Sequence, residues 1–235
     1  MNSIHKFTNP RIHQFTQFGV LGDIHGDFDS TRRIMTRHPG VPFWLCVGDV
    51  ADAEGRYEPL PAPLHFIKGN NEGFDAIAGG QLPANLHFLP NGTLCTISGV
   101  RVAGLGGTFA PTWYETPADG LPHPRKGTAK ATELADKRRH FVREEVEACK
   151  VLRDLDVFMT HEAPRPYRSP RGNDAGKTPV NEVLSSATPR LHLFGHHHRF
   201  TEQTVHGVRS VGMDLVSRSF LLVNAATLTY EIATL

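Results

Sequence analysis

The chain has 235 residues, of which 39% are hydrophobic and 21% are charged. This balance is typical of a globular domain and excludes a disordered or fibrous chain. Its 25 basic and 24 acidic residues leave a net charge of +1, so no overall charge draws it to nucleic acid or membranes. We expect one domain over 1–235, in which 1–15 could form a loosely ordered extension.

The targeting and cysteine patterns favour a cytoplasmic protein without a membrane partner. The stretch MNSIHKFTNPRIHQF lacks the apolar core of a signal peptide, and no later run approaches the roughly 18 apolar residues of a membrane span. The three cysteines, Cys46, Cys95 and Cys149, are widely spaced. They are predicted to be reduced packing residues and not a disulfide framework.

Five short apolar runs, each followed by polar residues, recur along the chain. They are FGVL, FWLCV, LHFI, VFM and LHLF, at residues 18–21, 43–47, 64–67, 157–159 and 191–194. Runs of this length with glycine nearby predict strands that are buried on both faces. The polar segments GDIHGD, GDVAD, KGNNE, THE and GHHH would then all follow the carboxyl ends of strands.

Helical spacing predicts three helices between these strands, over 28–38, 132–155 and about 179–187. Asp27 or Asp29 is the expected N-cap of the first helix. Alternation of strands and helices predicts an α/β fold. In such folds, ligands bind beyond the carboxyl ends of the strands.

Further strands and one long loop complete the prediction. The segment 93–109 predicts a hairpin that turns at Ser98 and Gly99, and the tail over 203–235 predicts strands that form a second sheet or extend the first. The proline-rich loop over 109–131 carries Trp113 and Tyr114. These two aromatic residues either stack on a substrate ring or pin the loop to the domain, and pinning is favoured.

Several polar residues at the predicted strand ends have the side chains of metal ligands. His196 and His198 are two residues apart, so on extended backbone they would point the same way while His197 points opposite. Asp23 and His25 repeat this spacing after another strand. With the residues from the three remaining strand ends, the donors are Asp23, His25, Asp49, Asn70, His161, His196 and His198.

Seven donors exceed the four ligands of a tetrahedral zinc ion and suit two metals that share a carboxylate. Imidazole, carboxylate and amide without thiolate favour Mn²⁺, with Fe, Zn or Ni as alternatives. Two divalent ions would outweigh the charges of two aspartates and a bridging hydroxide, so the site would attract a phosphate. Each residue alone has an ordinary alternative, such as a helix cap or a turn at GNNE.

The ordered series GDIHG, GDVAD, GNNE, TH and GHHH resembles the signature of the calcineurin-like metallophosphoesterases. The resemblance implies an α/β four-layer sandwich of two mixed β-sheets flanked by helices, with a dinuclear metal site at the carboxyl ends of the strands. It places Asp23, His25 and His198 on the first metal. It places Asn70, His161 and His196 on the second metal.

Three further acidic positions receive roles from the same resemblance. Asp49 would bridge the two metals. Asp52 and Glu72 would lie behind the ligands and orient them.

The departure from the family pattern is Asn71, where most members have a histidine that contacts phosphate and protonates the leaving group. Asparagine has no titratable proton. The enzyme could therefore prefer leaving groups of low pKa, could use His197 as the acid, or could be slow. Lys68 occupies the position of a phosphate-binding arginine in the related phosphoprotein phosphatases, although it could equally be a solvated lysine.

The residues that follow His161 are rich in cations. Arg165, Arg168, Arg171 and Lys177 could bind further phosphates or a nucleic-acid backbone, or could simply be solvated. The segment 85–107 is loosely similar to the region after the third motif of RNA lariat debranching enzymes.

The sequence thus predicts a metal-dependent phosphoesterase that uses in-line attack of a metal-bridging hydroxide. Its expected substrate is a phosphodiester, either a phosphorylated small molecule, a nucleotide or a nucleic acid. One alternative is a phosphomonoesterase, including a phosphoprotein phosphatase. The alternative of another class is a non-catalytic metal-binding scaffold, which Asn71 motivates.

Overall fold

The computed structural model describes residues 15–123, 136–170 and 172–235. Its helices are α1 (Phe28–Arg37), α2 (Phe74–Ala78), α3 (Arg143–Lys150) and α4 (Thr178–Ala187). Its strands are β1 (Gln17–Leu21), β2 (Trp44–Cys46), β3 (Leu64–Phe66), β4 (Leu86–Phe88), β5 (Cys95–Ile97), β6 (Val100–Leu105), β7 (Thr108–Phe109), β8 (His140–Phe141), β9 (Val157–Thr160), β10 (Leu191–Phe194), β11 (Thr201–Val205), β12 (Val208–Gly212), β13 (Phe220–Asn224) and β14 (Tyr230–Ala233).

Two mixed sheets dominate the described residues. The first has the order β14-β13-β1-β2-β3-β4, in which β1 to β4 are parallel. The second has the order β11-β12-β10-β9-β6-β5, in which β12, β10, β9 and β6 are parallel. The five predicted strands are confirmed: they are β1, β2 and β3 in the first sheet and β9 and β10 in the second.

Burial of apolar side chains arranges the sheets and helices in four layers. Phe18 and Val20 of the first sheet pack with Met159 and Leu193 of the second in a core between the sheets. On the outer face of the first sheet, Ile34 and Met35 of α1 pack with Trp44. On the outer face of the second sheet, α3 and α4 pack against Phe158. The predicted four-layer α/β sandwich is therefore confirmed.

Local chemistry explains where the confirmed elements begin and turn. The α1 helix begins at Phe28 because the Asp27 carboxylate accepts a hydrogen bond of 3.1 Å from the Ser30 N–H. The predicted hairpin turns at Ser98 and Gly99, whose φ values of 48° and 89° are those that a tight hairpin turn requires. In the tail, β11–β12 joins the second sheet and β13–β14 extends the first.

The prediction of a helix over 132–155 is wrong for most of its length. Residues 132–135 lie outside the described residues, 137–139 form a 3₁₀ turn, and α3 begins only at Arg143. The intervening β8 strand pairs with β7 and buries Phe141 completely. The Glu145 carboxylate then accepts a hydrogen bond of 2.9 Å from the Val142 N–H and so starts the helix there. Tertiary pairing has overridden helical spacing.

The long loop is pinned to the body of the protein in its described part. The buried Tyr114 ring contacts Phe109 edge to face at 5.1 Å, and the Arg143 guanidinium lies 4.7 Å from its centre. Lys137 lies 5.7 Å from the centre of the Trp113 ring. The loop residues 124–131 lie outside the described residues.

The structure also bears on two further predictions, that the cysteines are reduced and that the chain does not cross a membrane. All three cysteines are free thiols, and Cys46 and Cys149 are buried. Burial raises the pKa of Cys149 to about 12, so this thiol is unreactive at neutral pH. In the described part of the chain, no helix has both the length and the apolar character that a membrane crossing requires.

Candidate metal centre

Loops at the carboxyl ends of β1, β2, β3, β9 and β10 bring together the residues predicted to bind metal. We call this set the metal rim; its members are Asp23, His25, Asp49, Asn70, His161, His196 and His198. Neighbouring strands are parallel and in register, for example Thr160 beside Phe194. Within each sheet the strands therefore deliver their polar residues to one edge. The contact between Asp23, which follows β1, and His198, which follows β10, shows that the two edges meet at the rim.

Asp23, His25 and His198 form one cluster on the rim. The His198 Nε2 atom lies 3.0 Å from an Asp23 oxygen and 3.1 Å from the His25 Nε2 atom. Because the Asp23 carboxylate accepts a hydrogen bond from the His198 ring, it raises the pKa of His198. These three side chains place their donor atoms within 4.8 Å of one another, which is close enough to hold one cation.

The second cluster is centred on His161, which is completely buried. Its Nε2 atom lies 3.1 Å from the Asn70 side-chain oxygen, and its ring centre lies 4.9 Å from that of His196. The other ring nitrogen, Nδ1, is 2.9 Å from the Val47 carbonyl oxygen. That contact fixes the tautomer, so the Nε2 lone pair faces the cluster and is available to a metal.

The Asp49 carboxylate lies between the two clusters. One of its oxygens is 3.5 Å from the His25 Nε2 atom and 3.6 Å from the His161 Nε2 atom. Asp23 is also shared, because it belongs both to the cluster with His198 and to a grouping with Asp49 and His161. Both carboxylates thus lie where they could contact two ions.

The charge of these two carboxylates shows that the rim fits metal ions. Asp23 and Asp49 are each only 1% exposed. Their ion-pair partners among the described residues are imidazoles, without a lysine or arginine. Because burying uncompensated carboxylates is costly, divalent cations held by these oxygen and nitrogen donors would supply the missing charge.

The backbone of the rim differs from the prediction of extended strand ends. His25, Asp49, His196 and His198 all have positive φ, between 49° and 69°. Non-glycine residues rarely adopt this conformation, which is often found at functional sites. His196 and His198 do not point the same way along a strand; instead they reach His161 and Asp23, respectively. The i, i+2 argument is therefore wrong in geometry, although both residues lie on the rim.

Two glycines allow the rim loops to approach closely. A Cβ atom on Gly69 would lie 1.9 Å from an Asp49 oxygen, and one on Gly195 would lie 2.3 Å from an Asp23 oxygen. Gly69 is not among the residues with positive φ. The glycine of GNNE is therefore required for close approach to Asp49 and not for the conformation of a turn.

Glu72 is a buried clamp beneath the rim. Its carboxylate accepts hydrogen bonds from the Val50 N–H at 3.1 Å and the Gly69 N–H at 3.2 Å. The Tyr57 hydroxyl donates to its other oxygen at 2.8 Å. Burial raises the pKa of Glu72 to about 7. Glu72 therefore holds together the loops that carry Asp49 and Asn70.

Asn71 contacts the rim through both its backbone and its side chain. Its N–H donates to one Asp49 oxygen at 2.7 Å, and its side-chain amide donates to the other at 3.1 Å. The exposed amide thus orients the carboxylate between the clusters.

His197, the alternative acid, stacks on Tyr167 with ring centres 4.2 Å apart. Its Nε2 atom is buried without a hydrogen-bond partner among the described residues. Burial, together with the charge of Lys177, lowers the pKa of His197 to about 4. It is therefore neutral at pH 7 and poorly suited to donate a proton.

The other residues predicted at the site have partners away from the rim ligands. The Lys68 ammonium donates to the His140 carbonyl at 3.0 Å and lies 3.6 Å from Glu145. Asp52 binds the Arg56 side chain at 2.8 Å instead of orienting a rim ligand.

The arginines that follow His161 are exposed where the structure describes them. Arg165 is exposed and pairs with Asp174 at 2.8 Å, while Arg168 is exposed. Their predicted contact with substrate remains a prediction. Arg171 lies outside the described residues.

A cleft of about 760 Å³ opens beside the rim. His25, Asn70 and Asn71 line it at the rim. Part of the remaining lining, which we call the cleft wall, comprises residues 52–55 and 73–76 together with Asp136, Arg138 and Arg139. The volume is within the range of small-molecule sites.

Sequence reasoning missed the cleft wall and the clamp partner Tyr57. The wall residues Asp136, Arg138 and Arg139 fall within the segment mispredicted as helix, so the sequence did not indicate that they line a cleft. Tyr57 lies in a segment without regular structure, and no periodic signal marks it.

Comparison with known proteins points to one family. A family model described as calcineurin-like phosphoesterase matches residues 16–200, a range that contains the whole metal rim. The crystal structure of the protein TT1561 of Thermus thermophilus is similar, with a TM-score of 0.62 and 14% sequence identity; the match covers 94% of this chain and 99% of that one. At this identity, the likeness shows the fold alone.

Two curated proteins are similar in sequence. The lariat debranching enzyme of Schizosaccharomyces pombe is 24% identical over 209 residues, which cover 78% of this chain but only 43% of that enzyme. An uncharacterized protein of Haemophilus influenzae is 25% identical over 202 residues, covering 78% of this chain and 84% of that protein.

Proposed function

This chain belongs to the calcineurin-like phosphoesterase family, and from that premise we propose that it hydrolyses a phosphodiester in a nucleotide or nucleic acid. The observation that carries the proposal is the pair of buried carboxylates, Asp23 and Asp49, surrounded by imidazoles and lacking a lysine or arginine partner in the described ranges. Such a donor set suits two divalent ions, with Mn²⁺ favoured.

The proposed roles of the rim residues follow the two clusters. Asp23, His25 and His198 would hold one ion, and Asn70, His161 and His196 would hold the other. Asp49 lies between both clusters and would be the ligand that the two ions share. When bound, the ions lower the pKa of the attacking water and neutralise charge on the phosphoryl oxygens.

The chain's own residues set the geometry of attack. Asn71 and the Gly69 loop hold Asp49 in place, and Glu72 fixes the loops on either side. The cleft lies beside the rim, so a phosphate at the rim could extend its ester group along the cleft. Because Asn71 cannot donate a titratable proton, leaving groups of low pKa should react best.

Two observations support the preference for a diester. The curated relative from Schizosaccharomyces pombe is a lariat debranching enzyme, and the cleft has room for a group beyond the phosphate. Phosphomonoester hydrolysis, including that of phosphoproteins, is the competing outcome. Rates with p-nitrophenyl phosphate, bis-p-nitrophenyl phosphate and a short single-stranded oligonucleotide under the same metal distinguish these substrates.

The direct test is replacement of the central carboxylate. We expect Asp49→Asn to lower turnover of bis-p-nitrophenyl phosphate with Mn²⁺ by at least about 10³-fold, because one charge between the two clusters is lost. Asp29→Asn is the matched control, since Asp29 lies on the surface of α1 with a side chain that is 90% exposed. Turnover retained by Asp49→Asn would reject the proposed chemistry. No turnover by the wild type with any metal would favour a binding scaffold.

A further inference from the structure

Three consecutive cations, Lys137, Arg138 and Arg139, lie in different environments. Lys137 lies over the Trp113 ring. Arg138 binds Asp136 at 2.6 Å and Asp75 at 2.8 Å. Arg139 lines the cleft, yet its guanidinium has neither a hydrogen bond nor an ion pair with any residue in the described parts of the chain. It is the member of this trio whose charge is available to a ligand.

The carboxylates that share the cleft with Arg139 are already compensated. Asp52 and Glu54 both bind Arg56, each at 2.8 Å. Asp75 and Asp136 both bind Arg138. These pairings leave the charge of Arg139 unmatched within the described lining.

Glu72, the remaining described carboxylate in the lining, is occupied as well. Tyr57 and backbone N–H groups satisfy it. Because a planar guanidinium can donate two parallel N–H groups to two oxygens of one anion, an unmatched arginine in this cleft is a favourable site for a phosphate group.

The backbone around Arg139 is anchored, so the guanidinium is presented from a fixed base. The Asp136 carboxylate accepts a hydrogen bond of 3.0 Å from the Arg138 N–H and caps the turn. Immediately after Arg139, β8 pairs with β7, and the Thr108 hydroxyl lies 3.0 Å from the His140 ring. Anchoring reduces the entropy that a long side chain on a mobile loop would lose on binding.

Two other positions could have supplied a cation for phosphate, but neither does so. Position 71 carries the neutral amide of asparagine. Lys68 directs its ammonium to Glu145 and the His140 carbonyl. Arg139 is therefore the residue of the described lining that can supply a cationic ligand to a phosphate in the cleft.

We propose that Arg139 is a substrate-binding residue that holds a phosphate group of the ester in the cleft beside the metal rim. This assignment rests on the proposed phosphoesterase function. It names a specificity determinant in the cleft wall, separate from the rim residues that carry the chemistry.

The test measures binding of inorganic phosphate to the Mn²⁺-loaded protein by calorimetry, alongside KM and kcat for bis-p-nitrophenyl phosphate. We expect Arg139→Gln to weaken phosphate binding and raise KM by about tenfold, since a charge-assisted hydrogen bond is lost. We expect kcat to change less than KM. Arg139→Lys retains the charge without the fork and should fall between the wild type and Arg139→Gln.

Arg37→Gln is the matched control, because Arg37 is exposed on the last turn of α1 and does not line the cleft. It should bind phosphate as the wild type does. Equal phosphate affinity in the wild type and Arg139→Gln overturns the assignment, as does a wild type that binds no phosphate. If the wild type binds phosphate but hydrolyses no ester, the proposed function fails while the binding comparison still decides the role of Arg139.

Discussion

The metal rim and the cleft wall both contribute to the lining of one cleft but are built in different ways. Rim residues follow three parallel strands of the first sheet and two of the second, and the register within each sheet fixes where each side chain can lie. Wall residues lie in turns and short helices, where ion pairs such as Arg138 with Asp75 set the positions. The difference suggests that the sheets determine the chemistry, whereas surface segments determine which ester is bound.

Glu72 holds together the loops that carry Asp49 and Asn70, so its removal should have the largest effect of the changes outside the rim. We expect Glu72→Ala to lower kcat/KM for bis-p-nitrophenyl phosphate and Mn²⁺ affinity by about 10- to 100-fold, the usual range for residues that orient metal ligands. The Val50 and Gly69 N–H groups would lose their buried acceptor. Steady-state kinetics and metal titration measure both quantities.

Glu72→Gln is the matched control for this change. Its amide oxygen can accept from Val50 and Gly69, and its amide nitrogen can donate to the Tyr57 oxygen. The contact that is lost is the long hydrogen bond of 3.4 Å from the Ala51 N–H. It should therefore retain activity within about threefold of the wild type. A fully active Glu72→Ala variant would show that the rim does not depend on the clamp.

Asn71 lies where the rim meets the cleft, and its replacement tests leaving-group preference. Asn71→His introduces a titratable proton, so the ratio of rates on alkyl to p-nitrophenyl phosphodiesters should rise about tenfold, below the usual range for evolved general acids. The absolute rate on p-nitrophenyl esters should fall slightly because the hydrogen bond to Asp49 is lost. An unchanged ratio would mean that Asn71 serves only to orient Asp49.

The smallest expected effect is on the pH dependence of stability and comes from a buried histidine in the strands beneath the rim. Activity at neutral pH is expected to stay unchanged. His192 is completely buried and contacts Thr160 at 2.9 Å and Ser210 at 3.1 Å. Burial lowers its pKa to about 3, so the unfolded chain, with a pKa near 6.5, binds the proton more readily. Stability from neutral His192 is thus full above pH 6.5 and is lost as pH falls towards 3.

For the free energy of unfolding, this predicts a loss of about 2 kcal/mol between pH 7.5 and pH 5 from His192 alone. Urea unfolding of chelator-treated wild type and His192→Asn at both pH values measures it. The variant should lose correspondingly less stability on acidification. Equal losses in the two proteins would show that His192 is not held neutral by burial.

The sequence predicted the strands and their ends well, but it did not predict the structure of the surface segments. Five apolar runs placed the strands, and their polar ends placed all seven rim residues, because parallel strands share an edge. The backbone there could not be predicted: positive φ at His25 and His198 depends on contacts between loops from different strands. The sequence also did not show that Gly69 is needed for close approach to Asp49, because that contact depends on the fold.

The segments around the cleft wall could not be predicted from local sequence patterns. The spacing of Phe141 and Val142 fits a helix, but β8 pairs with a strand more than 30 residues earlier in the chain. Lys68 is a strand-end lysine by sequence, and only the fold reveals its pairing with Glu145. Such choices depend on long-range partners that one sequence does not specify.

The central claim is that the rim holds two metal ions. The most direct test is metal content per chain, measured by inductively coupled plasma mass spectrometry after Mn²⁺ loading and gel filtration. We predict two ions per chain for the wild type. One ion or none per chain would contradict the claim.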